Sequence, residues 1–253
     1  MTKISGLVIT YNEAQHIRAC LESLLQVCDE VIVVDSLSTD DTVAIATALG
    51  AKVYSQAFLG YGLQKNHGLA FCQHVWVLSL DADERLDADA IADIQRLDLV
   101  NSQYDTYEFR RKNLFHGKWI RCTTWYPDYV RRLFHREKVR FSEAQCHEKV
   151  ESTAHTQLDS HIIHYSFTDY HDMLHKLNKY STQYAADNSG TKKRVSVWSP
   201  ALHGLFAFLK NYVIRGGILC GFDGFNISLL NALGSYFKYA KLLEKQRYSG
   251  AKP

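Results

Sequence analysis

The chain has 253 residues, 46% of them hydrophobic, so it is long enough to bury a full core and too apolar for a disordered tail. A net charge of only +2 hides an asymmetry: residues 1–165 carry 17 Lys+Arg against 22 Asp+Glu, and residues 166–253 carry 12 against 5. The acidic body and the scattering of the basic residues through an apolar tail argue against nucleic acid as a partner.

Six cysteines (Cys20, Cys28, Cys72, Cys122, Cys146 and Cys220) show no CxxC spacing, and the opening MTKISGLVIT runs straight into a strand pattern with no signal-peptide signature. Both features predict reduced thiols in a cytoplasmic protein. No stretch stays apolar for the roughly 18 residues that a membrane span needs. The nearest approach, from Gly217, carries Asp223 and Asn226 in mid-run.

In chain order, ISGLVIT (4–10) predicts a strand, and residues 14–28 a helix with Ile17, Cys20, Leu21, Leu24 and Leu25 on one face. EVIVVD (30–35) predicts a second strand. Capping residues from Ser38 to Asp41 open a helix that closes at Gly50. A short strand at 52–54, a glycine-containing loop and a helix over 64–72 follow. Residues 75–80 form another apolar strand, and Asp87 caps a helix to about Leu97. From about 104 to 165 the pattern becomes short strands, among them YEFRR, YVRRLF and HIIHYSF. Beyond Thr168 it is helical, with a basic link at Lys192, Lys193 and Arg194.

Strands alternating with helices predict an α/β fold, a mostly parallel sheet with helices on both faces, followed by a helical C-terminal region. Ligands of such sheets bind beyond the carboxyl ends of the strands. Thr10-Tyr11-Asn12-Glu13, Asp35-Ser36 and Asp81-Ala82-Asp83 each lie where a strand ends, so three polar clusters are expected on one rim.

The third cluster places three carboxylates, Asp81, Asp83 and Glu84, within four residues at the end of an apolar strand. With 17 aspartates in the chain, about one Asp-x-Asp is expected by chance. Asp87-Ala88-Asp89 is a second copy, at a helix start where capping and the helix dipole favour acids, and it is read as structural. The copy at 81–83 is either a solvated turn or a site for Mg²⁺ or Mn²⁺, hard cations that also take substrate phosphates as ligands. Neither GxGxxG nor GxxxxGK[ST] occurs, so nucleotide phosphates would be met by metal and by side chains such as Lys65.

Taken together, ITYNEAQHIRACLESL, VIVVDSLSTDDTVAIA, QKNHGLA and LSLDADE, in that order, resemble the family 2 glycosyltransferases of the GT-A (Rossmann-like) fold. WYPDYVRRLFHR, CHEKVE and HYSF continue the match, and with the basic, aromatic C-terminus the chain is similar to lipopolysaccharide inner-core β-1,4-glucosyltransferases. The resemblance implies a catalytic domain at 1–165, with a nucleotide-sugar half to about 100 and an acceptor half beyond, and a docking region at 166–253. It implies that Thr10, Tyr11, Glu13, Asp35, Ser36, Lys65, Asp81 and Ala82 meet the nucleotide sugar, with Asp83 as metal ligand. Glu148, ahead of Asp128 and Glu143, is the general base of an inverting transfer. His164 is a further metal or phosphate ligand or a structural histidine, and Arg111 and Arg132 are expected to meet donor phosphate or an anionic acceptor. Within Arg110-Arg111 and Arg131-Arg132, strand alternation turns one member of each pair away from the site. Leu37 stands where the family more often has glycine.

The implied activity is transfer of a hexose, foremost glucose from UDP-glucose, to a lipopolysaccharide-core heptose or related glycolipid, with Mg²⁺ or Mn²⁺ as cofactor. Another UDP-sugar with a polyprenyl-linked or polysaccharide acceptor is the nearest alternative; a sugar nucleotidyltransferase or an idle nucleotide-sugar-binding module is the alternative of another class. The basic, aromatic tail suits peripheral contact with anionic lipid on the cytoplasmic face of the inner membrane.

Overall fold

The computed structural model describes residues 2–142, 150, 152–190 and 195–248. The chain divides into two compact units, residues 1–112 with 128–165, and residues 113–127 with 166–253.

The first unit is built on a sheet of nine strands, of which residues 118–119 and the ends of two long strands belong to the second unit. Its strands are β1 (Ile4–Thr10), β2 (Glu30–Asp35), β3 (Lys52–Ser55), β4 (Trp76–Asp81), β5 (Glu84–Leu86), β6 (Thr106–Phe115), β7 (Lys118–Trp119), β8 (Tyr129–His135) and β9 (His155–Phe167). Their spatial order is β3-β2-β1-β4-β8-β6-β9-β5, with β7 on β6. The first four are parallel, and β8 and β5 pair antiparallel with β4 and β9. Helices α1 (Ile17–Leu24), α2 (Thr42–Ala48), α3 (Tyr61–Leu69) and α4 (Ala88–Arg96) alternate with the early strands.

The period of two along the strands sorts their side chains onto two faces. Val8, Val31, Val33, Leu78 and Leu80 pack with Leu21 and Leu24 of α1 and with Ile94 of α4. Leu7, Ile9, Ile32, Val34 and Val77 pack on the opposite face with Leu69 of α3. α3 approaches the sheet closely at Gly68, where an added Cβ would lie 2.5 Å from Leu7 Cδ1 and 2.9 Å from Val34 Cγ2.

Three elements differ from the sequence expectations, and a fourth agrees. α1 begins only at Ile17, because residues 13–16 form a turn in which the Glu13 carbonyl accepts from the backbone N–H groups of His16 and Ile17. α3 begins at Tyr61, earlier than its apolar spacing suggested. β5 was not anticipated, since three residues carry no period; its partner β9 makes it a strand. Asp87 does cap α4, accepting from the Ala90 N–H at 2.9 Å, so the second Asp-x-Asp is structural.

The second unit holds α5 (Tyr170–Asp187), α6 (Ser199–Leu209) and α7 (Gly221–Tyr248). A small core of Phe115, Ile120, Trp125, Met173 and Ile227 joins them to residues 113–127. Cys122 and Cys220 form a disulfide, which corrects the expectation of six reduced thiols; 98 residues separate the two in sequence, too far for spacing to reveal the pair. The basic link at 192–194 lies outside the described residues.

Gly68→Ala is expected to destabilise the protein by about 1–3 kcal/mol, because the added methyl must displace two buried side chains. Urea denaturation of the variant measures this directly.

Candidate active site

Strand register brings the three clusters together. Thr10 stands beside Asp35 across β1 and β2, and Ile9 beside Asp81 across β1 and β4, so the ends of three adjacent parallel strands share one rim.

The loops after β1 and β2 are stitched to each other. The Asn12 N–H donates to Ser38 Oγ at 2.8 Å, and Asn12 Oδ1 accepts from the Thr39 N–H at 2.8 Å. Asp35 accepts from Ser38 twice, from Oγ at 2.5 Å and from the backbone N–H at 2.9 Å. To turn this loop Leu37 takes φ +66°, the left-handed region that glycine adopts at low cost. Gln64 of α3, fully buried, donates to Ser36 Oγ at 3.2 Å.

The carboxylates that end β4 meet cations from three elements. Asp81 Oδ1 lies 2.7 Å from Lys65 Nζ of α3, and Oδ2 lies 2.5 Å from an Arg132 guanidinium nitrogen of β8. The same nitrogen is 2.6 Å from Glu84 Oε1, which Arg111 of β6 approaches at 3.2 Å. Glu84 Oε2 accepts from the Asp81 N–H at 3.0 Å, and Arg111 grips Asp128 through Nε and a terminal nitrogen at 2.9 and 2.7 Å. Burial alone would raise the Asp81 carboxyl, but Arg132 and Lys65 hold it well below the usual carboxylate range. Asp81 therefore stays ionised, its side chain 31% exposed at the rim and its charge shared between Lys65 and Arg132.

Asp83 takes a different direction. The antiparallel pairing of β5 with β9 sets Glu84 opposite His164, and Asp83 Oδ2 lies 3.4 Å from His164 Nε2. The two side chains are 23% and 17% exposed, so solvent reaches both. Among the described residues no group of three or more His, Cys, Asp or Glu side chains is placed to hold a metal. A carboxylate beside an imidazole nevertheless fits a divalent cation that completes its shell with water and diphosphate oxygens, as Mg²⁺ does in nucleotide sites.

Comparison with known proteins places the chain in a family. Residues 5–147 match the profile of glycosyl transferase family 2. The chain belongs to this family. A Rickettsia felis protein named as a glycosyltransferase is 33% identical over 96% of this chain and 90% of its own length. The lipopolysaccharide core biosynthesis glycosyltransferase LpsC of Rhizobium meliloti is 27% identical over 96% of this chain and 92% of its own. Among solved structures, S. aureus TarS in complex with UDP-GlcNAc aligns over 97% of this chain and 90% of that one at 16% identity, with a TM-score of 0.49.

In this glycosyltransferase the expected site residues separate into two groups. Tyr11 is 58% exposed and offers a ring face, and Glu13, Ser36, Asp83 and His164 are partly accessible at the rim. Thr10, Asp35, Lys65 and Ala82 are at most 5% exposed and line the rim from below. Asp35 is closed over by Ser38, and Lys65 is turned to Asp81 beneath the rim. Arg132, 6% exposed, is likewise held by Asp81 and Glu84 and does not present itself to phosphate. Arg111 keeps partial exposure while pairing with Glu84 and Asp128. Alternation holds in both arginine pairs: Arg110 meets Asp159, and Arg131 meets Glu108 and the carbonyls of Val150 and Ser152. Glu148 lies outside the described residues, as does Glu143. Sequence reasoning missed Glu84, the fully buried acceptor that links Arg111, Arg132 and the Asp81 backbone. Its signal was present as the third acid of Asp81-Ala82-Asp83-Glu84.

Arg132→Leu would leave the fully buried Glu84 and the partly exposed Asp81 without their shared cation, and a loss of about 3 kcal/mol in unfolding free energy is expected by urea denaturation. At Leu37, relief of the left-handed penalty and the added chain entropy of glycine oppose each other. Leu37→Gly is therefore expected to change stability by between nothing and a gain of about 1 kcal/mol. Leu37→Val, a β-branched residue at positive φ, is expected to lower it by about 1 kcal/mol or more.

Proposed function

We propose that this family 2 glycosyltransferase transfers a hexose, foremost glucose from UDP-glucose, to a heptose of a lipopolysaccharide core or a related glycolipid, inverting the anomeric centre. The observation that carries the reading is the two-way division of the acids after β4. Asp81 and Glu84 are paired with the buried cations Lys65 and Arg132, while Asp83 lies beside His164. The full-length similarity to a lipopolysaccharide core glycosyltransferase supports the acceptor class.

In this reading the exposed ring of Tyr11 stacks on the base, and Glu13 and Ser36 meet the ribose. Asp83 and His164 would hold Mg²⁺ or Mn²⁺, which when bound supplies positive charge to the departing diphosphate. Lys65 and Arg132 act from beneath by fixing Asp81, the residue that anchors the turn carrying Asp83. The acceptor hydroxyl needs a base on the face opposite the leaving group. The bidentate hold of Arg111 on Asp128 favours Glu148 for this role. Supply of a nucleotide sugar fits action at the cytoplasmic face of the inner membrane.

Purified protein should release UDP, and not pyrophosphate, when given UDP-glucose and a heptose-bearing core acceptor with Mn²⁺. Glu148→Gln should lower turnover about 10²–10⁴-fold with little change in donor KM. Pyrophosphate release would mark a nucleotidyltransferase instead. Transfer from another UDP-sugar in preference to UDP-glucose would reassign the donor.

A further inference from the structure

The second unit exposes more apolar surface than its fold requires, and the exposure is concentrated on one hairpin. α6 runs on through residues 210–214, turns at Arg215 and Gly216, and returns through Gly217–Cys220 into α7. The two arms are antiparallel: His203 stacks on Tyr239 with ring centroids 3.7 Å apart, and the Val195 N–H donates to Gln246 Oε1 at 2.9 Å. Part of their contact is made by small residues. A Cβ on Gly204 would lie 3.3 Å from both the Ala232 carbonyl oxygen and Tyr236 Cβ. Phe208 of α6 meets Phe225 of α7 within the hairpin, whereas the large apolar side chains on the opposite side of α6 stay exposed.

Trp198, Leu202, Leu205, Phe206, Leu209 and Val213 recur at three- and four-residue intervals and are 46–71% exposed. That spacing places them along one side of the helix, away from the buried Pro200, Gly204 and Asn211. At the turn Ile214, Leu219 and Phe222 are 74–87% exposed. Contiguous apolar exposure on this scale marks a surface that meets something.

Charge identifies what it meets. The second unit carries 14 Lys+Arg against 5 Asp+Glu. Between residues 195 and 243 the one acid is Asp223, and Lys118 pairs with it at 2.5 Å. The Lys118 side chain is 69% exposed, and Arg215 at the turn is exposed as well. An uncharged aromatic and aliphatic side bordered by cations is the composition of a helix lying in a lipid headgroup layer, with Trp at its end. Among the described residues no single helix is long and apolar enough to cross a membrane, and the one candidate is the bent pair Ser199–Ile214 and Gly217–Tyr248 taken together. Residues 199–214 span about 24 Å at 1.5 Å per residue, and the chain then turns back.

We propose that the α6 side of this hairpin lies in the plane of an anionic phospholipid surface, with Leu202, Phe206 and Leu209 in the acyl-chain boundary and Lys118 and Arg215 at the phosphates. This deepens, and rests on, the reading of the enzyme as one that works on a membrane glycolipid, and it assigns the contact to named side chains.

The test is flotation of the full chain with phosphatidylethanolamine–phosphatidylglycerol vesicles that contain no glycolipid, in the absence of donor. The wild type should float on these vesicles and much less on phosphatidylcholine alone. Leu202→Glu/Phe206→Glu should reduce flotation at least about tenfold while retaining the wild-type circular dichroism spectrum. Independently of that variant, lipid brominated on its acyl chains should quench tryptophan fluorescence, and Trp198→Phe should remove much of the quenching. Wild type that stays soluble with both vesicle types, or a folded double variant that floats as well as wild type, would overturn the proposal. So would a dimer that the double variant dissociates while vesicles fail to bind. Failure of the acceptor assignment would leave these results unchanged, since neither donor nor acceptor is present.

Discussion

Two carboxylates where an apolar strand ends, Glu84 buried and Asp81 partly exposed, are held by three cations, and the rim of this enzyme is organised around those ion pairs. Asp81 and Glu84 would be costly to ionise in such surroundings without Lys65, Arg132 and Arg111. These partners come from α3, β8 and β6, so the ion pairs tie the parallel half of the sheet to its antiparallel half. Charge neutralisation beneath the rim also fixes the backbone after β4, through the Asp81 N–H held by Glu84. Asp83 is displayed on a turn whose two neighbouring acids are both anchored. That is the physical reason for crowding three carboxylates into four residues: two secure the turn through ion pairs with Lys and Arg, and the third stands beside His164.

The parallel core was legible in the sequence because period and length agree there. EVIVVD is too short and too β-branched for a helix, and β2 occupies those residues. Tyr11 and Asp83 were placed on the rim from where strands end, and His164, inside β9, was singled out by the family resemblance. What the sequence did not reveal was which polar residues would turn inward. Lys65 on a helix gives no sign that it will be fully buried, because its partner Asp81 lies on a strand that follows later in the chain. The same holds for Arg132, whose burial is decided by β8 pairing with β4. Strand alternation correctly predicted that one arginine of each pair would differ in direction, and the fold then determined that the inward one would be consumed by acids. At Leu37 the departure from glycine raised a question about the loop, and the answer is that leucine takes the glycine conformation.

The second unit obeys different rules. Its helices were visible as apolar periodicity, but periodicity cannot say whether an apolar side faces a core or the outside. In α6 the side opposite Phe208 faces outward, while Gly204 helps bring the arms of the hairpin together. The net positive charge of this region and its exposed aromatic residues then describe one surface. The catalytic unit by contrast places its charges in pairs and keeps its large apolar side chains on the two faces of the sheet.

The account stands or falls on the different duties of Asp81 and Asp83. Calorimetric titration of UDP into wild type, Asp83→Asn and Asp81→Asn, each with Mn²⁺ and with EDTA and each paired with a denaturation curve, separates them. Asp83→Asn should abolish the Mn²⁺-dependent part of UDP affinity with stability unchanged, and Asp81→Asn should lose stability. Equal UDP affinity with Mn²⁺ and with EDTA in the wild type, or an Asp83→Asn protein that retains the metal effect, would contradict it.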